Sequence, residues 1–196
     1  MINKSNSLLL ILFLFFSFQT SLIYSQDFWK HTNGPNGGII GDVAINSIGH
    51  IFAGGWSDNS GLFRSKNNGL TWEKVNSGFP DFEIYAIGVS DNDDIFIGTN
   101  HQGIFRSTDN GETWEQKDNG YTTSECWTFA LNDSGYIFAG DGDWSGLYYS
   151  SDNGENWIWL IEIPVLYLAR SNNGFMFAGT WSGMYRSTDD GMHWEV

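Results

Sequence analysis

Apolar residues in this chain fall in short runs bounded by Gly, Asn, Asp and Ser, not in long stretches with a 3.6-residue period. One set of runs occupies 42–45, 86–89, 128–131 and 167–170, and its third position is always small: Ala44, Gly88, Ala130, Ala169. Each is followed by a polar turn (46–49, 91–94, 132–135, 171–174) and a second run ending in glycine, at 51–54, 95–98, 137–140 and 176–179. A third run lies at 61–65, 103–107, 146–150 and 183–187, and a fourth opens at Trp72, Trp114, Trp157 and Trp194. The pattern predicts four antiparallel strands per unit, with the small-residue strand innermost, where strands converge on a crowded axis. Four strands per unit of about 40 residues describe a propeller blade, so the predicted fold is an all-β propeller.

Between the third and fourth runs stands one octapeptide. It reads Ser107-Thr108-Asp109-Asn110-Gly111-Glu112-Thr113-Trp114, then Ser150-Ser151-Asp152-Asn153-Gly154-Glu155-Asn156-Trp157, then Ser187-Thr188-Asp189-Asp190-Gly191-Met192-His193-Trp194. The first copy, Ser65-Lys66-Asn67-Asn68-Gly69-Leu70-Thr71-Trp72, has Asn67 in place of the aspartate. Ser-to-Ser spacings of 37 to 43 residues mark a repeat architecture. The expected structure is a tight hairpin: the short acid accepts N–H groups of its own turn, the glycine supplies a positive φ, and the tryptophan buries as the return strand begins.

These four octapeptides resemble the Asp-box, or bacterial neuraminidase repeat, of sialidase-type β-propellers, a family that includes sortilin-type receptors, xyloglucanase-type enzymes, the photosystem II stability/assembly factor and secreted bacterial repeat proteins. The resemblance covers nearly the whole chain after its first residues and implies the fold. It does not imply an activity, because the octapeptide is a folding device common to enzymes and non-enzymes. In such propellers it lies on the face opposite the ligand site, so Asp109, Asp152 and Asp189 read as structural.

The units give blades at about 39–80, 84–120, 126–163 and 165–196 within a domain covering 26–196. The segment 27–35 resembles a fourth strand placed ahead of any blade, and the last fourth strand runs to Val196, so the expectation is an incomplete ring with a spare closing strand. Residues 1–25 carry Lys4, an apolar run at 8–16 and a polar stretch to Ser25, the layout of an export signal; an uncleaved anchor is the alternative. A secreted, periplasmic or cell-surface location follows, with no membrane insertion after cleavage.

Charge narrows the partners. Without Lys4 the chain has 8 basic against 23 acidic residues, which argues against nucleic acid and anionic membranes. Cys126, the only cysteine, excludes an internal disulfide and reads as a small buried hydrophobe. No cofactor is expected. Asp91-Asn92-Asp93-Asp94 and Asp141-Gly142-Asp143 lack calcium-loop spacing, and His31, His50, His101 and His193 lack zinc spacing.

Alternate turns of an antiparallel blade point to opposite faces, so the second-to-third loops lie opposite the octapeptides. These loops vary most, and they carry Trp56, Asp58, His101, Asp141, Asp143, Trp144 and Trp181, the candidate ligand-binding residues. Tryptophan beside acids and hydroxyls suits sugar stacking or a protein loop; packing between blades is the competing reading of the three rings. Glycoside hydrolysis needs two carboxylates about 5–10 Å apart, and Asp58, Asp141 and Asp143 qualify by face alone. Arg64, Arg106 and Arg186 share one repeat column with Tyr149, so they are blade components rather than a sialidase arginine cluster, and no Arg-Ile-Pro is present. Arg170 stands out in a column otherwise held by Ile45, Val89 and Leu131. The expected function is a non-catalytic binding or scaffold module for a protein or glycan. The alternative is the N-terminal portion of a xyloglucanase- or sialidase-like hydrolase.

Overall fold

The computed structural model describes residues 34–35, 38–57, 61–79, 82–143 and 145–196. The leader, nearly all of the 27–35 segment, Asp58 and Trp144 lie outside the described residues. The described chain is all β. Blade one is β1 (Ile40–Ile45), β2 (Ile51–Gly55), β3 (Leu62–Ser65) and β4 (Glu73–Lys74). Blade two is β5 (Ile84–Val89), β6 (Ile95–Thr99), β7 (Ile104–Ser107) and β8 (Glu115–Gln116). Blade three is β9 (Thr128–Leu131), β10 (Ile137–Asp141), β11 (Gly146–Ser150) and β12 (Ile158–Ile161). Blade four has β13 (Val165–Arg170), β14 (Met176–Thr180) and β15 (Gly183–Ser187), and an antiparallel bridge between Arg186 and Glu195 stands where its fourth strand is expected.

Every sheet is a simple meander, and β1, β5, β9 and β13 pack against one another in turn, which makes the small-residue strand the innermost. The glycine ending the second strand has a steric cause. A Cβ on Gly54, Gly98 or Gly140 would lie 2.5–2.7 Å from the incoming Ile84, Cys126 or Val165 of the next blade. No real Cβ tolerates that approach, so only glycine lets consecutive blades close.

The core is three interblade clusters. Phe52 and Leu62 of blade one meet Ile87, Ile95, Ile97, Phe105 and Trp114 of blade two. Phe96 and Ile104 meet Ile137, Ala139, Tyr148 and Trp157, while Phe138 and Leu147 meet Met176 and Ala178, with Tyr185 and Trp194 partly buried beside them. Burying one large side chain of this kind contributes about 1.5–3 kcal/mol, so the blade faces dominate stability.

The octapeptide builds its hairpin through side chains. In blade two the Gly111 N–H donates to Ser107 Oγ at 2.7 Å, and the Thr113 N–H and hydroxyl donate to Asp109 at 2.8 and 2.6 Å. Asp152 and Asp189 repeat the pattern with Asn156 and His193; Asn67 accepts the Thr71 N–H in the same way, but its amide donates to the Thr71 hydroxyl. Two successive residues take left-handed backbone, Asn110 at φ 63° and Gly111 at φ 87°. Asn tolerates that region because its short side chain can bond locally; here it also reaches the preceding blade, where Asn46 donates to Asn110 at 2.8 Å.

Arg64 and Arg106 complete the first two joints. Both donate to the carbonyl of the fourth octapeptide residue in the next blade, Asn110 and Asn153, and pair with its glutamates Glu112 and Glu155. Trp114 and Trp157 donate back to Val75 and Lys117 carbonyls of the preceding blade. The odd Arg170 pairs with Asp133 in the first turn of blade three, at the octapeptide face.

Candidate functional site on the face opposite the octapeptides

The contacts of the octapeptides with the first turns define one face; the second-to-third loops and the interblade links meet on the other. The links carry glutamates at one repeated position, Glu83 and Glu125. Just after them the innermost strand opens with a bulge: register slips between Ile40 and Asp42, Ile84 and Ala86, and Val165 and Tyr167. A bulge turns the extra side chain out of the blade. The extra residues are Gly41, Tyr85 and Leu166, and Trp127 holds the same position in blade three.

This bulge explains the site. Trp56 meets Tyr85 edge to face at 5.4 Å and Trp127 at 6.3 Å, and Tyr85 lies 4.9 Å from Trp127. Acceptors fix the polar edges of two of the three: Trp127 Nε1 donates to Glu125 at 3.0 Å, and Glu83 accepts the Tyr85 hydroxyl at 3.3 Å and the Asn100 amide at 2.7 Å. His101 Nδ1 lies 3.1 Å from the other oxygen of Glu125. Burial first, then the charges of Glu83, Glu125 and Asp143, push the Tyr85 hydroxyl up to about 12, so it stays a neutral donor at neutral pH. A Cβ on Gly142 would lie 2.8 Å from the Trp127 ring, and the Gly142 carbonyl accepts Trp181 Nε1 at 3.3 Å. A shallow cleft of about 290 Å³ continues past His101 between blades two and three, lined by Gln102, Asp118, Tyr121 and Thr123 among others.

The predicted residues divide accordingly. Trp56 is 40% exposed and Trp181 68% exposed, so each offers ring surface while anchored by its other edge. His101 is exposed and joined to the cluster through Glu125; Asp143 lies close enough to Tyr85 to affect its ionisation. Asp141 is wholly buried, accepts the Asp143 N–H at 2.9 Å and presents no carboxylate to solvent. Sequence reasoning missed Tyr85, Trp127, Glu83 and Glu125. The available signal was the position before the innermost strand, which runs Gly41, Tyr85, Trp127, Leu166 in an otherwise regular repeat.

Cys126 is buried beneath this face, and burial pushes its thiol up to about 12, which keeps it protonated and unreactive. Among the described residues, no group of three or more His, Cys, Asp or Glu side chains is placed to hold a metal ion, and no helix is long and apolar enough to cross a membrane.

The fold and its repeated hairpins define a β-propeller of the sialidase-repeat class. The chain belongs to the Sortilin-Vps10 family (Sortilin, neurotensin receptor 3), whose match covers residues 60–162. No curated protein sequence matches it. Solved propellers share the fold at low identity. YCF48 bound to D1 peptide aligns with a TM-score of 0.63 and 20% identity over 84% of this chain and 54% of its own. An ancestral GH74 enzyme aligns at 0.65 and 22% over 85% and 25%. The extracellular domain of the putative one component system BT4673 from B. thetaiotaomicron aligns at 0.60 and 16% over 76% and 21%. The chain thus spans about half the length of the first and a quarter or less of the others.

Proposed function

We propose that this chain is an exported binding module whose aromatic and acidic face, opposite the octapeptides, contacts a protein or a glycan. The observation that carries the reading is the triad Trp56, Tyr85 and Trp127, held by Glu83 and Glu125, with exposed Trp181 nearby. Tyr85, Trp127 and Trp181, held by their polar edges, lose little entropy on binding, and each ring can contribute on the order of 1 kcal/mol by stacking. Carboxylates at the rim of aromatic rings suit the lysines and arginines of a peptide, by charge and by cation–π contact. YCF48, a propeller of the same fold, is seen with a peptide, and an extracellular domain shares the fold, which supports a peptide-binding and exported role here.

Intrinsic tryptophan fluorescence tests the reading, with lysine-rich peptides and xyloglucan oligosaccharides as probes. Saturable quenching is expected with one of the two, and its loss in the Trp56→Ala/Trp181→Ala double variant. Undiminished binding in that variant moves the site elsewhere and ends the proposal.

A further inference from the structure

The links from blade one to two and from blade two to three match residue for residue. Residues 76–83 and 118–125 have equal length, begin at Asn76 and Asp118 and end at Glu83 and Glu125. Their ring contacts match as well. Phe79 meets Phe105 and Trp114, each at 5.6 Å, and Tyr121 meets the corresponding Tyr148 at 4.6 Å and Trp157 at 5.9 Å. In the first link a third ring completes the packing: Phe82 stacks on Phe79 and lies against Phe105, both at 6.1 Å. In the second link Ser124 stands in that place. A serine side chain leaves most of a phenyl ring's volume unfilled. The cleft of about 290 Å³ lies at this position, with Tyr121 and Ser124 in its lining.

The same link makes the opened space polar. Tyr121 and Tyr148 carry hydroxyls where Phe79 and Phe105 have none. The Tyr121 hydroxyl donates to the Glu125 carbonyl at 2.8 Å, and the Tyr148 hydroxyl shares a hydrogen bond of 2.7 Å with Thr122. Thr122, Thr123 and Ser124 add three consecutive hydroxyls to the lining. The Gln116 amide donates to the Gln102 carbonyl at 3.2 Å and to the Asp118 carboxylate at 2.7 Å, which fixes an amide and an acid at the same cleft. The Ser124 carbonyl accepts the Gly103 N–H at 2.7 Å and so ties the link to the second-to-third loop. No lysine or arginine is among the described residues of the lining, and its one basic group, His101, is set against Glu125.

We propose that this cleft binds one ring of a neutral sugar. Hydroxyls and amides both donate and accept, which matches the hydroxyls of a sugar, and a carboxylate accepts from two of them at once. A lysine or arginine offers donors alone and would leave the donors of the lining unmet, while Asp118 and Glu125 repel an anion. The volume is close to the lower end of the roughly 300–1,000 Å³ of small-molecule sites, which suits one ring. The proposal rests on the reading of this face as the binding face, and names a ligand class for a part of it that neither Trp56 nor Trp181 lines.

Nuclear magnetic resonance of the isotope-labelled chain tests it, with glucose, galactose, mannose and xylose as probes and lysine and glucuronate as charged controls. At least one neutral sugar should shift the amide signals of Gln102, Gly103, Thr123 and Ser124 saturably, with a Kd on the order of 1 mM for so small a ligand. The controls should not. Ser124→Phe restores the ring that Phe82 supplies in the first link and should abolish the shift while strand circular dichroism is kept. Asp118→Asn restores the residue of the first link, Asn76, leaves the volume unchanged and should weaken binding about tenfold, one charged hydrogen bond being lost; it reads the site even where Ser124→Phe does not fold. Trp56→Ala/Trp181→Ala should retain the shift. No response to any neutral sugar, a response to lysine or glucuronate alone, or binding unchanged in Ser124→Phe and Asp118→Asn overturns the proposal. Loss in the tryptophan variant with retention in Ser124→Phe overturns the cleft and leaves the aromatic site standing. A sugar shift that persists where peptides and oligosaccharides fail to quench the tryptophans supports the cleft and removes the aromatic site.

Discussion

The octapeptide aspartates show how one side chain can determine a turn. Asp109 accepts the Ser107 hydroxyl and both the N–H and hydroxyl of Thr113, so Asp109→Ala removes three bonds from one hairpin. The hairpin is half solvated, and a loss of about 1–2 kcal/mol is expected, read as a lower denaturation midpoint. The same bonds set a pH dependence. Burial raises the Asp109 and Asp152 carboxyls, but donors from Thr113 and Asn156 outweigh it and hold both below the ordinary range; the His193 ring, then its N–H, lowers Asp189 to about 2. A carboxylate depressed in the folded state contributes stability that is present above its unfolded pKa of about 3.9 and lost as pH falls through the folded one. Thermal melts should therefore be flat from pH 7 to 5 and fall steeply from about pH 4 towards 2. Replacing Asp189 by Asn should flatten part of that fall.

Strands and turns were largely legible in sequence because the repeat supplies four independent readings of each element. The second and third strands lie within a residue of their expected places, since glycine, the apolar run and the octapeptide bound them on both sides. The fourth strands vary most in length, two residues in β4 and β8 and four in β12, as edge strands paired on one side only can. The bulges were not legible. They depend on how the link enters the innermost strand, and so Tyr85, which a bulge turns outward, and Trp127, at the same repeat position, are not marked by the loop pattern. Close packing yields a sharp expectation here. Gly140→Ala places a Cβ 2.7 Å from Val165 Cγ1 and 2.8 Å from Thr128 Cγ2, so it should cost about 1–3 kcal/mol. Gly179→Ala meets no atom of the described residues nearer than 3.9 Å, its chain neighbours aside, and should leave unfolding within about 0.5 kcal/mol of wild type. Urea titrations of the two variants compare them directly.

Across the molecule, regularity and irregularity separate by face. Octapeptides, first turns and the Arg64–Glu112 and Arg106–Glu155 pairs repeat because each joins two blades in the same way. The opposite face is less regular: Trp56 and Trp181 fill a loop position held by Asn100 and Gly142 in the other two blades, and His101 and Asp143 fill the next, held by Ser57 and Ser182, the kind of variation a site for one asymmetric ligand needs. Asp141 is buried there, which removes one of the three carboxyl groups that sequence offered for glycoside hydrolysis. The purified chain is accordingly expected to release no sugar from β-glucans or sialosides, as followed by reducing-end or chromogenic assay. Turnover that disappears in Asp143→Asn would contradict this.

The division of labour between the two faces is tested most directly by measuring melting temperature and peptide or oligosaccharide affinity on the same two variants. Asp152→Ala should lower the melting temperature by several degrees, about 2–4 °C per kcal/mol for a domain of this size, and leave affinity unchanged. Trp56→Ala/Trp181→Ala also lowers the melting temperature by a few degrees, through the lost contacts of Trp56 with Tyr85 and Trp127, but unlike Asp152→Ala it should weaken affinity at least tenfold, about 1.4 kcal/mol. The reverse pattern, with affinity lost in Asp152→Ala and retained in the tryptophan variant, would place recognition on the octapeptide face and contradict the account.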